Sequence, residues 1–340
     1  MKYKLLGRSG LKVSELCLGT MGFGTEAGWG ADKETSFAIM DAFANAGGNF
    51  IDTANMYKVG TSEKIIGDYL GSHDRDYFAL ATKYTLKDNL VNPNASGNNR
   101  KNMMRSVEES LKRLKTDFID ILYLHIWDDL TPVDEVLRGM DDLIRQGKVN
   151  YAAISDTAAW VVSKGNTMAE LMGWSQFIAL QVEYSLIART PERELIPMAK
   201  HFGMTVTPWA PLAGGVLTGK YLRGEQGRIK PESKRRNEQS EAITKAVVAI
   251  ADELGVSPGN VALKWTMQQG FSSIPIVGAT KLNQLEDNLK TIDIILDSEH
   301  LQKLNEASAI ELGFPGDFFK EEGIKMNTFG GFYDRVEKRV

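Results

Sequence analysis

The chain has one cysteine and four histidines among 340 residues, and each scarcity closes off a class of chemistry. A lone Cys17, inside the apolar run "LCLG", excludes an intrachain disulfide framework and any multi-cysteine metal site. It reads as a small buried apolar residue, and no metal-ligating set is expected. Positive charge is not in excess: the formal net charge is −4, so no basic footprint points to nucleic acid. No apolar run approaches the ~18–20 residues needed to cross a bilayer, so no membrane partner is expected. The start, "MKYKLLGRSGLKVSELCLG", lacks the apolar stretch and small-residue cleavage site of a secretion signal. These absences lead to the expectation of a soluble, cytoplasmic protein acting on a small molecule.

What is present is a recurring pattern of short β-branched or apolar runs separated by helical periodicity. Strands are expected at Leu16–Gly19, Asn49–Ala54, Phe78–Tyr84, Asp120–Trp127, Val149–Ser155, Ala179–Tyr184, Thr205–Trp209 and Ser273–Val277. "DKETSFAIMDAFANAGG" opens on a polar cap and ends on paired glycines, as helices do. "SEKIIGDYLG", "NRKNMMRSVEESLKRLK", "PVDEVLRGMDDLIRQGK" and "TPERELIPMAKHFG" space apolar residues by three and four. "DILYLHI" is apolar on both faces, which suits a parallel sheet covered on both sides. Eight β-then-α units imply a (β/α)8 TIM barrel, with an open doubly wound sheet as the competitor. The opening "KYKLLGRSGLKV" reads as a β-hairpin, turning at Ser9-Gly10 and closing the barrel floor.

The whole chain, 1–340, is expected to be a single barrel domain. A tail from about 309 to 340 would pack on the barrel or near the site. Two long loops, "NLVNPNASGNN" and "RGEQGRIKPESKRRNEQSE", would lie at the C-terminal face; the second can bury little and reads as mobile.

In such a barrel the residues to examine are polar ones at the carboxyl ends of strands. Asp52 ends the second strand, and Tyr57 follows it before a helix that is expected to begin at Ser62. Lys83 ends the third strand, in "FALATKY", and His125 ends the fourth, in "DILYLHIWD". The other histidines, His73, His201 and His300, suit surface positions. A phenol ordinarily titrates near 10, too high to donate a proton readily at neutral pH. A neighbouring ammonium lowers that value, a carboxylate holds the ammonium charged, and a histidine orients a substrate oxygen. Together these make a general acid–base set for a carbonyl oxygen that needs no metal. Proton donation alone reduces nothing, so a hydride source is also required.

The obvious glycine pattern, "GFGTEA" from Gly22 to Ala27, is not followed by a helix, so it reads as a substrate-side loop and not a Rossmann turn. "SIPIVGATKLNQLEDNL" is a better candidate: a strand, a glycine turn, then a helix from about Asn283. Amides at that turn would hold a phosphate, and Gln284, Asp287 and Asn288 would hydrogen-bond a nucleoside. "TPWAPLAGGVLTGKY" adds Trp209, a flat face at a strand end before a Pro/Gly-rich turn.

With these segments in view, the sequence resembles the aldo-keto reductase superfamily over nearly its whole length. "NFIDTANMY" with "GTSEKIIGDYL", "ATKY", "DILYLHIWD", "ALQVEYSL" and "PWAPLAGGVLTGKY" carry the resemblance. "HIWD", "TPWAPL" and "ELGFP" look most like its aryl-alcohol dehydrogenase branch. The resemblance implies a barrel that binds NADP(H) across its C-terminal face. Tyr57 would be the proton donor, Lys83 and Asp52 its tuning pair, and His125 the carbonyl-orienting group. The nicotinamide end would meet Gly19, Thr20, Met21, Asp52, Ser155, Asp156 and Gln181, with Trp209 stacked on the ring. Ala210, Pro211, Leu212, Ala213, Gly214 and Lys220 would hold the pyrophosphate. Gly278, Thr280, Gln284, Asp287 and Asn288 would hold the adenosine half.

Two departures stand out. Where many members have Ser-Asn, this chain has Ser155-Asp156. Where many have an arginine that clamps a 2′-phosphate bidentately, it has Thr280 beside Lys281. NADP(H) is therefore inherited from the resemblance, and NAD(H) stays open. Met21, Phe23, Trp29, Met56 and Trp127 would crowd the mouth and favour aromatic or medium-sized aldehydes. The implied activity is NADP(H)-dependent reduction of aldehydes and ketones to alcohols. Alternatives are a cofactor-binding regulatory module resembling potassium-channel β subunits, an aldolase using Lys83, and a hydrolase using Asp52 and Glu183.

Overall fold

A computed structural model of the chain describes residues 1–26, 28–87 and 91–337. Ala27 of the glycine loop, Asn89 and Leu90 of the first long loop, and tail residues 338–340 lie outside the described residues. The hairpin pairs β1 (Tyr3–Leu5) with β2 (Lys12–Ser14). Eight parallel strands follow: β3 (Cys17–Gly19), β4 (Phe50–Asp52), β5 (Ala79–Tyr84), β6 (Ile119–Leu124), β7 (Val149–Ser155), β8 (Phe177–Glu183), β9 (Thr205–Trp209) and β10 (Ile276–Gly278). Their order, β10-β3-β4-β5-β6-β7-β8-β9, is that of an eight-stranded barrel.

Closure explains why the last strand differs from its expected range. Val206 N donates to Ser272 O at 2.8 Å and Ile274 N donates to Val206 O at 2.9 Å. Only Ile276–Gly278 then pairs with β3 on the other side. The segment is shared between two neighbours, so neither ladder uses all of it. The fourth barrel strand likewise stops at Leu124, leaving His125 in the loop that follows.

Strand alternation divides the apolar residues into two cores. Inside the barrel lie Cys17, Phe50, Ala79, Ala81, Ile121, Tyr123, Ala153, Ala179 and Ile276, capped by Leu6 and Val13 of the hairpin. Leu18, Ile51, Leu80, Leu122, Ile154, Leu180 and Val206 face outward onto the helices. Full burial of each such Leu, Ile or Phe contributes about 1.5–3 kcal/mol. Gly7 lets the hairpin seat on the barrel: a Cβ there would stand 2.0 Å from Ile178 O. Helix starts follow local capping; Asp32 accepts from Thr35 N, and Asn237 forms a capping box with Ser240.

Among the described residues, no single helix is long and apolar enough to cross a membrane. His300 is a correction to its expected surface position. It is buried, with Nε2 3.2 Å from Glu253 Oε1. Past Ala309, the helix Glu322–Phe329 buries none of its residues, and Phe314, Phe319 and Phe332 are exposed.

Candidate active site

The C-terminal ends of β4 and β5 bring the charged centre together. Asp52 and Lys83 are the last inward positions of their strands, one rung above Phe50 and Ala81. Lys83 is fully buried, and its Nζ donates to Asp52 Oδ2 at 2.6 Å, Thr53 O at 2.8 Å and Tyr57 OH at 3.3 Å. Burial pushes the Lys83 ammonium down, but Asp52 and Tyr57 outweigh it and hold the group above its ordinary value. For Tyr57, burial raises the phenol and Lys83 pulls it back, with the net above the ordinary value. The phenol is therefore neutral, and the ammonium offsets part of the cost of any charge that develops on it.

His125 meets the Tyr57 ring edge-on, centroids 5.9 Å apart. Burial first, and Lys83 second, lower its pKa to about 3, so the imidazole is neutral. Its Nδ1 is buried without a hydrogen-bond partner among the described residues.

The turn that carries Tyr57 is strained. Lys58, Val59 and Gly60 have φ of 51°, 55° and 86°, all left-handed. Lys58 Nζ spans to the glycine loop, where it donates to Trp29 O at 2.5 Å and lies 3.6 Å from the Trp29 ring centroid. Phe23 is a correction to the expected mouth: it is fully buried in the outer core, whereas Met21 and Trp29 are exposed.

Beyond the charged centre, β7, β8 and β9 end on polar or flat side chains. Gln181 Nε2 donates to Asp52 Oδ1 at 2.9 Å, so its amide braces the carboxylate. Thr20 is buried, its hydroxyl donating to Asp52 O at 2.9 Å. Ser155 Oγ is buried without a partner among the described residues, and Trp209 Nε1 donates to Asp156 Oδ1 at 3.1 Å. Asp156 itself is left-handed at φ 38°, a conformation Asp tolerates better than most residues.

After Trp209, the turn through Pro211 and Leu212 has left-handed Ala210, Ala213, Gly214 and Gly215. A Cβ on Gly215 would stand 2.8 Å from Lys220 Nζ, and one on Gly214 would stand 3.7 Å from an Arg228 guanidinium nitrogen. The cradle is glycine-lined and basic. At the β3–β10 edge, Gly19 pairs with Gly278, and a Cβ on Gly22 would crowd Thr280. Thr280 N donates to Gln284 Oε1 at 3.0 Å. Asp287 accepts from Ser257 Oγ at 2.8 Å, and Asn288 is buried.

The second long loop buries little, as expected, yet two of its arginines reach the mouth. Arg235 donates to Glu183 Oε1 at 2.5 Å and lies over the Trp209 ring, and Arg228 lies over Trp29. Sequence reasoning missed both; the one available signal was the density of basic residues in "RIKPESKRR".

The unpartnered Ser155 hydroxyl, the Trp209 face and the basic glycine cradle fit a dinucleotide in an extended arrangement. Comparison with known proteins gives the family. Residues 15–309 match the family model described as the aldo/keto reductase family. An aryl-alcohol dehydrogenase [NADP(+)] of Phanerodontia chrysosporium is 40% identical, over 96% of this chain and 91% of its own. A norsolorinic acid reductase of Aspergillus flavus is 34% identical, over 93% of this chain and 83% of its own. An uncharacterized oxidoreductase, YrpG, of Bacillus subtilis is 37% identical, over 93% and 97%.

Proposed function

Because the chain belongs to the aldo/keto reductase family, we propose that it is an NADP(H)-dependent reductase of aromatic or medium-sized aldehydes, with Tyr57 as proton donor. The observation that carries this reading is one buried ammonium, Lys83, shared by Asp52 and Tyr57 beside a neutral His125. NADP(H), when bound, supplies the hydride. His125 and Tyr57 hold the carbonyl oxygen between them, and the Tyr57 hydroxyl gives it a proton as negative charge builds there. Lys83 steadies the phenolate left behind, and Asp52, braced by Gln181, keeps Lys83 charged and aimed.

The same contacts weigh against the alternatives. A Schiff-base lysine needs a neutral amine, whereas Lys83 is held above its ordinary value. A hydrolytic pair of Asp52 and Glu183 is disfavoured because Glu183 is bound by Arg235. A regulatory module would leave the Asp52, Tyr57, Lys83 and His125 cluster without employment.

The test is NADPH consumption with 4-nitrobenzaldehyde, run for the wild type and Tyr57→Phe. Turnover should fall by about 10²–10⁴ in the variant while NADPH still quenches its fluorescence as in the wild type. Equal turnover in the two proteins, or tight NADPH binding without turnover in the wild type, would sink the reading. NADH alongside NADPH decides the cofactor that Thr280 leaves open.

A further inference from the structure

The carboxylates at the ends of β4, β7 and β8, namely Asp52, Asp156 and Glu183, are not equally compensated. Asp52 has the Lys83 ammonium at 2.6 Å, and Glu183 has the Arg235 guanidinium at 2.5 Å. Asp156 has no ion pair among the described residues; it receives only the neutral indole N–H of Trp209.

Its place is fixed by backbone on both sides. Asp156 N donates to Gln181 O at 3.1 Å, and Trp127 N donates to Asp156 O at 3.4 Å. Asp156 is half-buried, and its charge acts on both Tyr57 and Lys83. Burial pushes its carboxyl above the ordinary range and the like charge of Glu183 adds to the rise, while the Trp209 N–H and the Lys83 charge oppose it. A carboxylate held this way is a site short of one positive charge.

The reacting ring of the cofactor must lie within hydride-transfer reach of a carbonyl held by Tyr57 and His125. Asp156 lies beside the charged centre: its backbone N–H is bonded to Gln181 O, the Gln181 amide reaches Asp52, and Trp209 is bonded to its carboxylate. The nicotinamide ring is cationic when oxidised and neutral when reduced. We propose that Asp156 is a redox-biasing residue, favouring the oxidised cofactor over the reduced one by direct charge attraction. The inference rests on the proposed NADP(H) dependence. An amide at this position would hydrogen-bond equally well to both forms, so the charge is what Asp156 adds. By the thermodynamic cycle, the same factor shifts the equilibrium between bound reactants toward oxidised cofactor and alcohol, the direction of aldehyde reduction.

Asp156→Asn tests this, because an asparagine oxygen still accepts the Trp209 N–H while the charge is gone. Wild type and variant are titrated separately with NADP+ and with NADPH by tryptophan fluorescence. The variant should bind NADP+ on the order of tenfold more weakly and NADPH within about twofold of the wild type. An unchanged ratio of the two constants, or equal weakening of both, overturns the bias and makes Asp156 a docking group only. Asp156→Ser, which also removes the charge, should shift the ratio the same way and serves if the asparagine variant folds poorly. Failure of the wild type to bind NADPH would instead overturn the cofactor assignment, a result distinct from binding with an unchanged ratio.

Discussion

At the hairpin end of the barrel, the inward positions of β3, β4, β5, β7 and β8 carry Cys17, Phe50, Ala81, Ala153 and Ala179. One rung further along, the same five strands turn Gly19, Asp52, Lys83, Ser155 and Gln181 inward. A step of two residues changes a dry, self-sealing plug into a polar chamber with a buried ion pair. The lower rung is covered by Leu6 and Val13 and asks only for volume. The upper rung holds a fully buried ammonium, which a protein interior tolerates only with partners placed for it. Stability and chemistry thus occupy adjacent layers, and each should be removable without the other.

The sharpest test of that separation pairs one substitution from each layer. Lys83→Met strips the cation from Asp52, which is 2% exposed and keeps only the neutral Gln181 amide on its carboxylate among the described residues. Aldehyde turnover should disappear, and urea denaturation should show a loss of about 3–5 kcal/mol. Leu6→Ala at the floor should cost about 2–5 kcal/mol by leaving a cavity. Its turnover per folded molecule should stay within about twofold of the wild type. If Leu6→Ala lowers turnover as far as it lowers stability, the two layers are coupled and the comparison breaks.

How far this division was readable beforehand depended on periodicity. Asp52 and Lys83 could be placed from sequence because each ends an apolar run and the two-residue period fixes its face. His125 was found the same way, although its strand stops at Leu124 and the loop presents it. Contacts made outside a period left no such trace. Phe23 sits in a glycine-rich stretch, and nothing local distinguished a buried phenylalanine from a mouth-lining one. The bond from Gln181 to Asp52 joins residues 129 apart, and only barrel closure brings them together. Arg228 and Arg235 lie in a polar loop whose composition advertised solvent, yet they reach Trp29 and Trp209.

A smaller effect should appear in how the upper layer responds to acid. His125 is neutral in the folded chain down to about pH 3, whereas an unfolded histidine titrates near 6.5. The unfolded chain therefore takes up this proton first, so the stability contribution is whole above about pH 6.5. It is lost as pH falls toward 3, at no more than one proton, or about 1.4 kcal/mol per pH unit. His125→Asn removes that dependence. Between pH 7 and 5 the wild type should lose about 1–2 kcal/mol more than the variant in matched urea titrations. Parallel curves would mean that the imidazole is hydrated, and the upper layer less dry than its contacts imply.

The smallest effect separates strain from packing within the upper layer itself. Val59 follows Tyr57 by two residues, with φ of 55°, and the residue is 81% exposed. A β-branched residue gains nothing from that conformation, which costs about 1–2 kcal/mol relative to a right-handed one. Exposure means that no packing offsets the cost, so the turn is held by its neighbours: Lys58 tied to Trp29 O, and Val59 N bonded to Met56 O at 3.1 Å. Val59→Gly would relieve the strain but give back about 0.5–1 kcal/mol in chain entropy. The variant should come out about 0.5–1 kcal/mol more stable in urea, opposite in sign to the losses at Lys83 and Leu6. Turnover is the informative half of the measurement. If the left-handed turn only permits the placement of Tyr57, glycine adopts it equally well and turnover is unchanged. A loss of turnover in a more stable protein would show that the stiffness of Val59 helps aim the phenol, so that the chemical layer draws on strain as well as on charge.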